Sequence, residues 1–157
     1  MSDRQRADDP FKVLFVCTGN SARSIMAEAI LNKIGRPRVR AHSAGSHPKG
    51  AVHPETVRLL ESLGYNTSRL RSKSWNEFSD SARFDLIVTV CNNAAGEVCP
   101  AIAGKPAKMH WDIPDPSAAS GPQPQREAAF RQTHDMLLHR IRALVREVGR
   151  EGAALRE

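Results

Sequence analysis

This chain of 157 residues has little of what marks several common classes of protein. Its three cysteines, an odd number, do not suggest a framework of structural disulfides, so we expect free or redox-active thiols. No apolar run approaches the roughly 20 residues that a membrane span requires. Residues 1–9 contain no apolar segment of the kind found in secretory signals. We therefore expect a cytoplasmic protein with no membrane partner.

Aromatic residues are also scarce, with one Tyr and two Trp, while the net charge is +6. A basic surface can bind nucleic acid, but here the basic residues are scattered and few aromatic rings are available to stack on bases. We expect a soluble, monomeric protein with a mild attraction for anions and no nucleic-acid partner.

Strand-like and helix-like patterns alternate along the chain. The apolar pattern predicts buried strands at 11–16, 38–43, 84–90 and 107–110, and helices at 22–34, 54–63 and 125–148. This alternation favours an α/β fold in three layers, with a four-stranded parallel sheet flanked by helices. We expect one domain at 10–148, between flexible tails at 1–9 and 149–157.

The segment Cys17–Ser24, with the sequence CTGNSARS, carries the strongest functional signal. It joins a predicted strand to a predicted helix, so backbone N–H groups and the positive helix end converge on one point. That point suits a tetrahedral oxyanion, and the same field favours the nucleophilic thiolate form of Cys17. The predicted oxyanion-binding residues are Thr18, Gly19, Asn20, Ser21, Ala22 and Arg23, the last as a two-donor clamp.

Two residues of this segment have a further expected role. Asn20 tolerates the left-handed conformation that a tight loop requires, and the Ser24 hydroxyl can hydrogen-bond the thiolate. The alternative is a buried cysteine before an ordinary helix, with Arg23 solvated.

Asp115 lies between two prolines that restrict its backbone, which suits a general acid. Asp112 competes for this role, and an acidic turn residue is the alternative. Ligands of parallel sheets bind at the carboxyl ends of the strands. Cys17, Cys91 and Asp115 each follow a predicted strand, so we expect them to share one edge of the sheet.

Cys91 and Cys99 are separated by a segment that contains Asn, Ala and Gly, and such a segment can close a disulfide if it is mobile. The alternative is two small apolar side chains that pack at a strand end. The spacing differs from that of zinc-binding cysteine pairs, and the six histidines show no ligand spacing, so we predict no metal site.

Cys17–Glu28 resembles the phosphate loop of the low-molecular-weight protein tyrosine phosphatase fold, and more closely that of the thiol-coupled arsenate reductases built on it. The resemblance continues, in chain order, through Ser43–Gly45, Ser72–Trp75, the stretch from Val88 to Pro100, and His110–Pro116. It covers residues from about Phe11 to Val148. The anion loop alone does not separate a phosphatase from a reductase.

The resemblance implies a relay of three cysteines. Cys17 attacks arsenate, Asp115 protonates a departing oxygen, and Cys91 then attacks Cys17 and releases arsenite. Cys99 next attacks Cys91, and the resulting disulfide is reduced by an external thiol partner, for which we expect thioredoxin. A glutaredoxin system or a low-molecular-weight thiol remains an alternative.

The sequence departs from its relatives at two points. Many of them carry a cysteine where this chain has Ala22, but that cysteine takes no part in the relay. Some bind a monovalent cation near the loop; a full set of ligands cannot be assigned here, and Lys73 is an alternative source of positive charge. No bound cofactor is predicted.

Two rival functions remain. A phosphatase would use only Cys17, Arg23 and Asp115, but Asp115 is followed by Pro-Ser-Ala-Ala, without the Tyr that holds a tyrosyl ring. The second rival is a binding or sensor module for phosphate or arsenite, which has little need of a positioned acid.

Overall fold

The computed structural model describes residues 9–78, 84–92 and 106–156. These residues form one parallel sheet of four strands, which confirms the predicted fold class. The strands, in chain order, are β1 (Phe11–Cys17), β2 (Val39–Gly45), β3 (Leu86–Cys91) and β4 (Ala107–Asp112). Their order across the sheet is β2-β1-β3-β4.

The described part of the chain also contains helices α1 (Arg23–Ile34), α2 (Pro54–Ser62) and α3 (Gln123–Arg156), with 3₁₀ helices at Trp75–Phe78 and Pro116–Ala118. Among these helices, none is both long and apolar enough to cross a membrane. Helix α2 begins as its sequence predicts, because the His53 ring accepts a hydrogen bond from the backbone N–H of Glu55 and Pro54 occupies the first turn.

The alternation of side chains along the strands divides the apolar residues between two cores. On one face of the sheet, Val13 and Phe15 of β1 pack with residues of all three helices. On the other face, Leu14 and Val16 form a smaller cluster, against which Trp75 of the first 3₁₀ helix packs.

Helix α1 differs from the one-sided stripe that its sequence suggests. Its residues are buried without interruption from Arg23 to Leu31, because the helix lies between the sheet and α3. Ile34, predicted on the buried stripe, is instead 37% exposed, since it lies at the last position of the helix.

Helix α3 is longer than predicted and runs beyond the expected end at 148 to Arg156. Gly149, which follows the predicted end of the helix, does not stop it, because a glycine inside a helix costs only about 1 kcal/mol relative to alanine. The residues that follow include Ala153, Ala154 and Leu155, which are strong helix formers. The proposed tails stay a prediction, and residues 1–8 lie outside the described part.

Candidate active site

Cys17 lies at the carboxyl end of β1, on the floor of a small cavity of about 200 Å³. The thiol is free and its residue is 2% exposed. All six predicted oxyanion-binding residues line this cavity, together with Asp115. The complete lining is Cys17, Thr18, Gly19, Asn20, Ser21, Ala22, Arg23, His47, Lys49, Asp115 and Ser117.

The carbonyl oxygens of the loop are held away from the cavity by hydrogen bonds with the segment that follows β2. Backbone N–H groups donate from Ser46 to Cys17 at 3.2 Å, from His47 to Thr18 at 2.8 Å, from Lys49 to Gly19 at 3.0 Å and from His53 to Ser21 at 2.9 Å. In a trans peptide the N–H points opposite to the C=O, so this arrangement turns the loop N–H groups inward. The loop is therefore held in a shape that receives an anion.

Small residues at two positions, Gly45 and Ala22, contribute to the loop in different ways. A Cβ atom at Gly45 would lie 2.6 Å from the carbonyl oxygen of Thr18, so only glycine permits this approach. Ala22 precedes the first turn of α1 and has no polar side-chain group with which to cap it. The first N–H groups of α1 are thereby left to a ligand rather than to a capping side chain.

The sulfur of Cys17 receives two polar contacts. The backbone N–H of Asn20 donates to Sγ at 3.2 Å, and the Ser24 hydroxyl lies 2.9 Å from it. Ser24 Oγ itself accepts from the Asn20 side-chain amide at 2.7 Å, which directs the single hydroxyl proton toward the sulfur. Asn20 has a φ of 46°, as its residue type predicted. Both contacts direct a hydrogen-bond donor at the sulfur.

A buried polar network lies behind Asn20. Its side-chain amide donates to Ser43 Oγ at 3.1 Å, and its carbonyl oxygen accepts from the backbone N–H of Lys73 at 2.9 Å. Ser43 in turn donates a short hydrogen bond to Glu28, whose carboxylate lies 3.7 Å from the Lys73 ammonium. Lys73 thus places a positive charge behind the loop.

The two charged groups of this network perturb each other. Burial raises the pKa of Glu28, and the nearby Lys73 opposes this rise. Burial likewise lowers the pKa of Lys73, and Glu28 opposes this fall. Removal of either partner would therefore leave the other as an uncompensated buried charge.

Arg23 connects the loop to the opposite wall of the cavity. Its guanidinium donates to the carbonyl oxygen of Ile113 at 3.0 Å and lies 3.8 Å from the carboxylate of Asp115. The Asp115 side chain is 37% exposed, and one of its oxygens accepts from the backbone N–H of Ser117 at 3.0 Å and from the Ser117 hydroxyl at 2.7 Å. Asp112 is not among the lining residues; it lies 3.7 Å from His110.

Cys91 ends β3, the strand beside β1. Val16 pairs with Thr89, so Cys17 and Cys91 follow the last paired residues of two adjacent parallel strands at the same edge of the sheet. Cys91 is disulfide-bonded, whereas Cys17 is a free thiol. Cys99, the third predicted redox cysteine, lies outside the described residues.

Sequence reasoning missed three residues of the lining, His47, Lys49 and Ser117. The first two follow β2, whose carboxyl end lies beside that of β1, where Cys17 pairs with Gly45. Topology was the available signal, because a turn after the strand next to β1 must approach the loop.

A free thiol in a cavity that also contains an arginine and a carboxylate has the features of enzymes that use a cysteine nucleophile on an oxyanion. The sequence model of the low molecular weight phosphotyrosine protein phosphatases matches residues 12–154, and the chain belongs to this family.

Within this family, the chain is similar to arsenate reductases. It is 35% identical over 130 residues to the arsenate reductase of Halalkalibacterium halodurans, covering 83% of this chain and 91% of that protein. The crystal structure of arsenate reductase from Archaeoglobus fulgidus has a TM-score of 0.71 at 31% identity, over 85% of this chain and 98% of that one. The Corynebacterium glutamicum thioredoxin-dependent arsenate reductase shares the fold, with a TM-score of 0.64 at 24% identity over 93% of this chain and 66% of that one.

Proposed function

We propose that this protein reduces arsenate to arsenite through the thiols of Cys17, Cys91 and Cys99, and so serves arsenic detoxification. The observation that carries the proposal is the pair of cysteines at one sheet edge, with Cys17 free on the floor of an oxyanion cavity and Cys91 oxidised on the next strand. The family also contains phosphatases, which need only the first cysteine.

In the proposed reaction, the Cys17 thiolate attacks arsenic(V) while the loop N–H groups and Arg23 hold the oxyanion. Asp115 gives a proton to the departing oxygen, which leaves as water, and an arsenic–sulfur bond forms. Ser24 keeps the sulfur nucleophilic through the hydrogen bond at 2.9 Å.

Cys91 then attacks the sulfur of Cys17. The arsenic–sulfur bond breaks, its electron pair passes to arsenic, and arsenite departs as a Cys17–Cys91 disulfide forms. Cys99 attacks Cys91 and releases Cys17 as a free thiolate. This last exchange leaves Cys17 free and Cys91 in a disulfide. The two residues have the same states in the structure.

An external thiol reductant must return the oxidised pair to thiols, and we propose thioredoxin. One protein that shares this fold is a thioredoxin-dependent arsenate reductase. A glutaredoxin system or a small thiol would supply the same two electrons, and the coupled assay below separates these reductants.

Phosphomonoester hydrolysis is the second candidate, favoured by the family and by the loop itself. Against it as the main activity, the described residues that line the cavity include no Phe, Tyr or Trp. An aryl phosphate would thus find no ring to stack on, and we expect hydrolysis only as a slow side activity.

The test is NADPH consumption with arsenate, thioredoxin and thioredoxin reductase, comparing the wild type with Cys91→Ser and Cys99→Ser. We expect turnover by the wild type, no sustained turnover by either variant, and p-nitrophenyl phosphate hydrolysis retained by all three. Replacement of thioredoxin by glutathione and glutaredoxin tests the partner. Sustained arsenate turnover by Cys91→Ser, or hydrolysis without any arsenate reduction by the wild type, would overturn the proposal.

A further inference from the structure

Lys49 is a cationic residue on the cavity lining that the reaction above does not use. Its backbone is anchored on the anion loop, since its N–H donates to the carbonyl oxygen of Gly19 at 3.0 Å. The next residue, Gly50, donates to the Ser72 hydroxyl at 3.1 Å, and this hydroxyl donates to the same Gly19 oxygen at 3.2 Å. The position of Lys49 relative to the loop is therefore fixed from both sides.

The side chain of Lys49 lies over Gly19. Its Cε, Cγ and Cδ atoms are 3.1, 3.3 and 3.4 Å from the point that a Cβ atom of residue 19 would occupy. Any side chain at residue 19 would thus displace the lysine stem. The methylene groups lie over the loop, and Lys49 is one of the residues that line the cavity although it is exposed.

The charges around the cavity leave a distinct role for this ammonium group. Arg23 donates to the carbonyl oxygen of Ile113 and lies 3.8 Å from Asp115, so part of its charge is offset by a carboxylate. That carboxylate also repels an incoming anion. A second cation on the side of Gly19 offsets this repulsion.

The charge of the reactants changes during the proposed reaction. Arsenate at neutral pH is an anion, whereas arsenite is present as uncharged arsenous acid. A cation on the lining lowers the free energy of the bound anion and does little for the neutral product. Such a residue favours substrate capture without slowing product release.

We propose that Lys49 is a specificity-determining residue that binds the anionic substrate at the mouth of the cavity and discriminates it from the uncharged product. The discrimination between substrate and product rests on the proposed reduction of arsenate. The binding of an inorganic oxyanion by Lys49 holds for any reaction at Cys17.

The first experiment measures binding without turnover. We expect inorganic phosphate to protect Cys17 of the reduced protein from iodoacetamide, and mass spectrometry of the Cys17 peptide measures the half-protecting concentration. Lys49→Met keeps an unbranched stem over Gly19 and removes the charge, so we expect this concentration to rise about threefold to tenfold. Lys49→Arg should stay within about twofold of the wild type, because it retains the charge.

The matched control is Lys33→Met, which removes the same charge from an exposed lysine whose ammonium lies over the Tyr65 ring, outside the cavity lining. This variant should bind phosphate as the wild type does. An equal loss in Lys33→Met would assign the effect to net charge and overturn the role of Lys49, as would unchanged protection in Lys49→Met.

The second experiment tests discrimination in the coupled arsenate assay. Lys49→Met should raise the KM for arsenate by the factor found for phosphate, leave kcat unchanged, and leave the inhibition constant of arsenite unchanged. Weaker inhibition by arsenite, by that same factor, would overturn discrimination by charge. If no variant reduces arsenate while the phosphate result stands, the proposed function fails and the binding role of Lys49 survives.

Discussion

The two walls of the cavity are built in opposite ways. The inner wall, Cys17–Ser24, is backed by the buried side chains of Glu28, Ser43 and Lys73, and each of these takes part in a hydrogen bond or an ion pair. The outer wall, Asp115–Ser117, carries a carboxylate that is 37% exposed and bonded within its own turn. Arg23 is the contact between them.

This difference separates two requirements of the chemistry. A loop that stabilises an oxyanion must hold its N–H groups in place before the substrate arrives, and buried hydrogen bonds provide that order. A proton donor must exchange protons with solvent between turnovers, and an exposed carboxylate does so readily. We therefore expect inner-wall substitutions to reduce stability and outer-wall substitutions to reduce turnover alone.

The largest effect is expected at the outer wall, for Asp115→Asn. The substitution keeps an oxygen that can accept from Ser117 but removes the acid, so kcat for arsenate should fall about a hundredfold or more. The KM should stay equal or fall, because the repulsion between the Asp115 carboxylate and the anion is removed. The midpoint of urea unfolding should change little. Rates of arsenite formation and an unfolding curve for the same preparation measure both quantities.

Asp112→Asn is the control for this prediction, since Asp112 lies in the same segment but outside the cavity lining. We expect wild-type turnover from it. Equal turnover by Asp115→Asn and the wild type would show that Asp115 is not the general acid. A binding or sensor module would instead show no turnover in either protein and unchanged phosphate binding in Asp115→Asn.

The sequence predicted much of this contrast because the relevant signals are local. Strand β1 and the loop Cys17–Ser24 follow from an apolar run, a cysteine and small turn-forming residues, and the left-handed Asn20 follows from its residue type. The choice of Asp115 over Asp112 came from the flanking prolines and the resemblance, and the cavity lining contains Asp115 alone of the two.

What could not be predicted depends on contacts between distant segments. Lys49 reaches the loop only because β2 lies beside β1, and the pairing of Lys73 with Glu28 joins residues far apart in the chain. The end of α3 at Arg156 was missed for a different reason, since the single glycine at 149 weakens a helix without breaking it.

An intermediate effect is expected at the inner wall, for Asn20→Ala. This change removes hydrogen bonds to Ser24, Ser43 and Lys73 and places alanine at a φ of 46°. We expect a loss of about 2–4 kcal/mol in the free energy of unfolding, together with weaker protection of Cys17 by phosphate. Urea unfolding and the alkylation assay measure the two losses.

Asn32→Ala provides the comparison, because Asn32 also bridges α1 to β2, with hydrogen bonds of 3.0 and 2.9 Å to the backbone of Ala41. It should reduce stability while leaving phosphate binding unchanged. Loss of binding in both variants would show that the loop responds to stability in general, and the distinction between the walls would fail.

The smallest effect is expected from Lys73→Met, and it depends on pH. Burial holds the pKa of Glu28 above its ordinary value of 4.5, and Lys73 is the largest influence that lowers it. A carboxyl group whose pKa is raised by folding favours the folded state below its unfolded pKa. That contribution disappears as the pH rises through the folded pKa.

Removal of Lys73 raises the pKa of Glu28 further. As the pH rises, the variant should therefore lose stability over a wider pH range than the wild type. We expect Lys73→Met to match the wild type more closely at pH 5 and to lie about 1–3 kcal/mol below it at pH 8 in urea unfolding. Adding Glu28→Gln should abolish this pH dependence, since no carboxylate then forms. A deficit of equal size at both pH values would mean that Lys73 acts through packing, and that the charge behind the inner wall does not stabilise the loop.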